Sequence, residues 1–120
     1  MKSYIFSRDL IFITKVREVA SHAGVALTVV RNESLLSELE AAIGEDSSRG
    51  IIFIDLDRIT LDLTVIAPVV KRALSAGGWR CVAYYSHVER ELGDLARSYG
   101  LGDVVPRSRF VTLLPDLFLS

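Results

Sequence analysis

Short apolar runs alternate along this chain with stretches in which apolar residues recur at helical spacing. The runs are Tyr4-Ile5-Phe6, Val25 to Val30, Ile51 to Ile54, Arg80 to Tyr85 and Asp103 to Val105. Runs this short, bounded by polar residues and rich in β-branched and aromatic side chains, predict strands. The run Ile51-Ile52-Phe53-Ile54 has no polar position, so its strand is expected to be buried on both faces. Between the first two runs, Phe12, Val16, Val19, Ala20 and Ala23 fall on one helical stripe.

Start and stop signals bound five such helices. Asp9 offers an N-cap for a helix from Leu10 to Ala23, and Gly24 ends it. Asn32 or Ser34 opens the second helix, through Leu35, Leu36, Leu39, Ala42 and Ile43, and Gly44 closes it. Thr64 is the expected cap of the third, which carries Val65, Ile66, Val69, Val70, Ala73 and Leu74. Pro68 is expected at the edge of its first turn, where little hydrogen bonding is lost. Gly77-Gly78 ends it. Ser86 and Glu89 have capping-box spacing and open the fourth helix, which Gly100 stops. Ser108 is the expected cap of the last helix, through Phe110, Leu113, Leu114 and Leu117, with Pro115 kinking or splitting it.

Strand and helix therefore alternate five times. That pattern predicts a parallel sheet with helices on both faces. At 120 residues the expected architecture is an α/β, flavodoxin-like (βα)5 three-layer sandwich, strand order 2-1-3-4-5, with residues 1–120 as a single domain. In such sheets the carboxyl ends of the central strands form the functional crevice. Asp55 ends the third strand, so it is the first candidate for chemistry.

Composition narrows the function classes. The net charge is −1, and the halves carry 7 basic and 9 acidic, then 7 basic and 6 acidic residues. Neither half is a basic patch, so nucleic-acid binding is not expected. Cys81 is the only cysteine and sits in an apolar run, which predicts an inert core thiol in a reducing compartment. No apolar run approaches the roughly 20 residues needed to span a bilayer. The N-terminus, with one lysine, an early Asp9 and no small-residue cleavage site, does not look like a secretory signal. A cytoplasmic protein without a membrane partner or an attached output domain is expected. No His/Cys cluster has zinc spacing, and no Gly-rich turn follows the first strand. His22 falls late in the first helix, too far from Ser7 and Asp9 for a hydrolase triad. An enzyme is not expected.

Five βα units, an aspartate closing strand 3 and a hydroxyl residue closing strand 4 resemble the receiver domain of bacterial response regulators, over nearly the whole chain. The resemblance places Asp55 at the phosphoacceptor position and Ser86 at the switch hydroxyl. The acidic pair after strand 1 falls on Ser7-Arg8, with Asp9 just beyond. The lysine position falls near Arg107, within Val105-Pro106-Arg107-Ser108-Arg109-Phe110, and the Lys-Pro dipeptide is missing. So is the proline usually found after the phosphoacceptor, where Arg58-Ile59-Thr60 stands.

Receiver phosphorylation needs a divalent cation, and Mg²⁺ takes hard oxygen ligands. A hydroxyl and a guanidinium replace the expected carboxylates here. The resemblance therefore implies an atypical receiver, a pseudo-receiver in which Asp55 pairs with Arg8 and no cofactor is bound. In the alternative, Asp55 is phosphorylated in a two-component phosphorelay, with Asp9 and Asp55 holding one Mg²⁺. Asp9 does this only if it points inward rather than capping its helix. Arg107 and Arg109 are either solvated charges or anion ligands at the strand 5 end. His87 is either a surface residue or a guest at the pocket mouth. The implied partners are proteins: a histidine kinase-type signalling protein, or a second copy through the helix 4–strand 5–helix 5 face. The last helix, apolar nearly all round, either leaves surplus apolar surface for such contacts or folds its tail back at Pro115.

Overall fold

The run at residues 51–54 lies at the centre of a parallel sheet. A computed structural model describes residues 1–86 and 90–119. Its elements, in chain order, are β1 (Lys2–Phe6), α1 (Leu10–His22), β2 (Leu27–Val29), α2 (Glu33–Gly44), β3 (Gly50–Asp55), a 3₁₀ turn (Leu56–Arg58), α3 (Leu63–Ala76), β4 (Trp79–Tyr85), α4 (Arg90–Ser98), β5 (Asp103–Pro106) and α5 (Arg107–Leu117). The sheet order is β2-β1-β3-β4-β5, and every pairing is parallel. The expected flavodoxin-like α/β architecture is the one observed.

Strand parity divides the core into two layers. Tyr4, Phe6, Ile52, Ile54, Cys81 and Ala83 face α2, α3 and α4, where they meet Leu39, Ile66, Val70 and Ala96. Ile5, Ile51, Phe53, Val82 and Tyr84 face α1 and α5, where they meet Phe12, Val16, Phe110 and Leu114. All residues of β3 are buried, as its unbroken apolar run requires. Cys81 is buried, and desolvation pushes its thiol far above its ordinary pKa, so it is a packing residue.

Helix ends follow local hydrogen bonding, with three departures from the sequence-based expectation. Asp9 caps α1 through the Phe12 N–H at 3.1 Å, and Asn32 caps α2 through the Leu35 N–H at 2.9 Å. Helix α3 is capped by Asp62 rather than Thr64, because the Asp62 carboxylate accepts from both the Thr64 N–H and its hydroxyl. The helix consequently starts earlier, and Pro68 lies inside it, past the first turn. Helix α5 begins at Arg107 behind Pro106, so Ser108 is helical and caps nothing. The third departure is Pro115, which lies within α5 without splitting it. Beyond that helix Phe118 folds onto the core, edge-on to Phe53 at 5.7 Å. Most of the apolar surplus of the last helix is thereby buried, and Leu119 stays exposed. His87, Val88 and Glu89 lie outside the described residues, and with them the capping-box partner of Ser86.

Candidate functional site at the carboxyl ends of the strands

The same parity that sorts the core decides which polar side chains meet at the sheet's carboxyl end. Side chains alternate between faces along a strand. Ile5 and Phe53 face α1 and α5, so Ser7 and Asp55, two residues further on, face that way too. Phe6 pairs with Ile54, and Asp55 pairs with Tyr84, which brings Ser7, Asp55 and Tyr84 side by side. All three are about 1 % exposed. The Ser7 hydroxyl donates to Asp55 Oδ2 at 2.7 Å, and the Arg58 N–H donates to Asp55 Oδ1 at 3.2 Å. Asp55 thus also caps the 3₁₀ turn that follows it.

Arg8 does not pair with Asp55. It follows Ser7, so parity sends its side chain to the opposite side, where it lines a shallow depression with Ser7, Leu10, Arg31 and Thr60. Only its backbone reaches the β3 loop, through its N–H to the Arg58 carbonyl at 2.9 Å. The expected Asp55–Arg8 pair is replaced by a serine–aspartate hydrogen bond.

Arg107 provides the guanidinium of this crevice. Its Nη2 lies 2.9 Å from Asp9 Oδ2, and its Cζ sits 4.2 Å from the centroid of the Phe12 ring. It is therefore a partly exposed charge already paired with a carboxylate. The pair joins the start of α5 to the start of α1 across 98 residues of chain. Arg109 lines a separate groove beside β5 with Leu113 and Leu117.

Asp57 is a residue that the sequence pattern alone leaves without a role. Its Oδ2 accepts the Ser86 N–H at 2.8 Å, which ties the β3 loop to the end of β4. Its Oδ1 is buried and has no partner among the described residues. Asp9, Asp57, Arg58, Ser86, Leu92 and Arg107 line an open cleft of about 370 Å³ above the strand ends. The clue was present in the sequence: Asp57 follows Asp55 by two residues in a polar turn.

The electrostatics separate the two carboxylates. Burial raises the Asp55 pKa above the ordinary carboxylate value, opposed by the Ser7 and Arg58 hydrogen bonds and by the Arg107 charge. Asp9 is held below it, first by the Phe12 N–H and then by Arg107. Tyr84 titrates far above its ordinary value, because of burial and then the Asp55 charge. Its hydroxyl has no hydrogen-bond partner among the described residues.

These residues fit a divalent cation poorly: of the three crevice carboxylates two are fully engaged, and only Asp57 Oδ1 has no partner among the described residues. A hard cation needs carboxylate oxygens free to turn toward it. Asp9 already serves an N–H and a guanidinium, and Asp55 a hydroxyl and an N–H, in a buried setting. Arg107 brings fixed positive charge to the crevice. Among the described residues no three His, Cys, Asp or Glu side chains gather as a metal site. Among the described residues no helix is long and apolar enough to cross a membrane.

Comparison with known proteins adds to the fold. No family model matches the chain, and no curated protein matches it in sequence. Among solved structures it is similar to a protein of Burkholderia pseudomallei K96243 named as related to pilus assembly. The TM-score is 0.60 at 19% identity, covering 99% of this chain and 87% of that one. A likeness at that identity supports the fold alone, a flavodoxin-like topology.

Proposed function

We propose that this chain is an atypical receiver-like module that works through protein–protein contacts, without metal-dependent phosphoryl transfer. The observation that carries this reading is the engagement of Asp55 and Asp9, the two carboxylates at the positions a receiver's cation would need, by the protein itself. Asp55 is held by Ser7 and the Arg58 N–H, and Asp9 by the Phe12 N–H and Arg107. Nucleophilic attack by Asp55 on a phosphodonor would need an exposed, ionised oxygen. Burial works against both conditions. The charged crevice instead acts as a clasp that fixes α5 on α1.

On this reading the partner is a protein, either a signalling protein or a second copy through the face formed by α4, β5 and α5. That face offers the exposed Leu95 and the groove lined by Val104, Val105, Arg109, Leu113 and Leu117. The Burkholderia protein's name, related to pilus assembly, suits a role through protein contacts. A cytoplasmic location belongs to the same proposal.

The test is incubation of the chain with a small acyl phosphate and Mg²⁺, followed by intact-mass measurement. No adduct is expected. A phosphate adduct that disappears in Asp55→Asn would establish the working phosphoacceptor instead.

A further inference from the structure

The start of α1 presents two large apolar side chains that the fold does not use. Helix α1 buries Phe12, Ile13, Val16 and Ala20 as its stripe. Leu10 and Ile11 lie off that stripe, 68% and 86% exposed. They are the one adjacent pair of exposed large apolar residues among those described. Beside them the depression of about 320 Å³ is lined by Ser7, Arg8, Leu10, Arg31 and Thr60.

The polar groups of this depression divide sharply. The Ser7 hydroxyl is bound to Asp55, and the Thr60 hydroxyl donates to the Val30 carbonyl at 2.6 Å. The neighbouring Asp9 carboxylate is taken by Arg107 and the Phe12 N–H. Arg8 and Arg31 are exposed, and neither has an ion-pair partner among the described residues. What remains for a ligand is positive charge beside apolar surface, in a chain whose net charge is −1.

We infer that Leu10, Ile11, Arg8 and Arg31 form a docking surface for an acidic, amphipathic segment of a partner protein. The inference rests on the reading above that the chain works through protein contacts, and it places one contact away from the α4–β5–α5 face. Charge complementarity selects the occupant. An apolar side chain of the segment fills the depression against Leu10 and covers Ile11, and its carboxylates meet the two guanidiniums, which suit planar, bidentate pairing. A second copy is a poor fit, because a two-fold contact through this patch would set arginine against arginine. An anionic lipid surface is also a poor fit, since such binding uses clusters of roughly 4 to 8 basic residues.

The experiment is selection of a displayed random-peptide library on the whole chain, with affinities of the enriched peptides measured by fluorescence anisotropy. Enriched peptides are expected to carry Asp or Glu beside Leu, Ile or Phe. They should bind Ile11→Ser about tenfold more weakly, and the Arg8→Ser/Arg31→Ser double variant likewise. Added salt should weaken binding to the wild type and spare the residual binding of the double variant. Thermal melts of these surface variants should match the wild type, which excludes unfolding as the cause.

Enrichment that ignores these four residues overturns the inference. If the enriched peptides respond instead to Leu95→Ser, this location fails while the protein-contact reading stands. A dimer that dissociates in Ile11→Ser, or flotation with anionic vesicles that Ile11→Ser abolishes, assigns the patch to a second copy or to lipid, and likewise overturns it. The phosphate adduct described above would remove the protein-contact reading itself, by a separate measurement.

Discussion

The crevice at the strand ends and the rim at the start of α1 lie only a residue apart in sequence, at Ser7 and Arg8, yet they differ in what they leave available. In the crevice Ser7, Asp55, Asp9 and Arg107 satisfy one another. On the rim Arg8, Arg31, Leu10 and Ile11 have no such partners among the described residues. The difference comes from strand parity: Ser7 turns inward and Arg8 outward. It teaches that a charged residue beside a crevice in sequence need not serve it. On the docking surface proposed above, binding falls to the edge of the crevice rather than to the crevice itself.

The sharpest way to break the comparison is to remove what holds the crevice closed. Phe110 stacks on Tyr84 at 4.2 Å and also touches Phe12 and Phe53, so it anchors α5 beneath the Arg107 clasp. Phe110→Ala should cost about 3–5 kcal/mol in urea unfolding. Ser7→Ala removes a buried hydrogen bond from a carboxylate and should cost about 1–3 kcal/mol by the same measurement. A cost near zero would mean that Asp55 does not depend on Ser7.

The clasp itself is half exposed, so its worth is modest. Arg107→Ala should cost about 1 kcal/mol, from the Asp9 pair and the Phe12 stack together. Arg107→Lys should restore only part of that, because an ammonium cannot stack as a planar guanidinium does. At the rim, Ile11→Ser should change stability by less than about 0.5 kcal/mol. A larger loss would show that the apolar pair serves the fold rather than a partner.

The two carboxylates also predict opposite responses to pH. Asp55 has a raised pKa in the folded chain, so the native state holds its proton more tightly than the unfolded state. Its contribution to stability is full below the ordinary carboxylate value and is lost as pH rises through the folded value. Asp9 is lowered, so its contribution is present above the ordinary value and is lost as pH falls through the depressed one. Urea unfolding of wild type and Asp55→Asn across the acid range should show wild type gaining on the variant as pH falls toward 3.8. For Asp9→Asn the wild-type advantage should shrink below that value. Equal pH profiles for wild type and Asp55→Asn would contradict a burial cost that outweighs the Ser7 and Arg58 hydrogen bonds to this carboxyl group.

The fold was legible because its signals are local and mutually consistent. The unbroken run at 51–54 marks a doubly covered strand, helical spacing marks the helices, and Gly24, Gly77 and Gly100 stop them in left-handed conformations. Asp55 at the end of β3 was legible on the same grounds. The contacts around it were less so. Apolar pattern in Tyr4-Ile5-Phe6 is too uniform to reveal which face each residue takes, so Arg8 could be placed beside Asp55 on sequence adjacency alone. Parity carried from Phe53 to Asp55 and from Ile5 to Ser7 gives the observed contact. The Arg107–Asp9 pair joins the two ends of the chain, and no local pattern encodes it. The cap of α3 moved to Asp62 because an aspartate two residues before Thr64 offers a better acceptor than the threonine hydroxyl.

The claim on which the rest depends is that Asp55 and Asp9 are engaged by the protein and closed to a cation. Isothermal titration of the chain with Mg²⁺ tests it most directly, with Asp55→Asn titrated alongside. The account predicts no saturable heat and no difference between the two chains. Stoichiometric Mg²⁺ binding that vanishes in Asp55→Asn would contradict it.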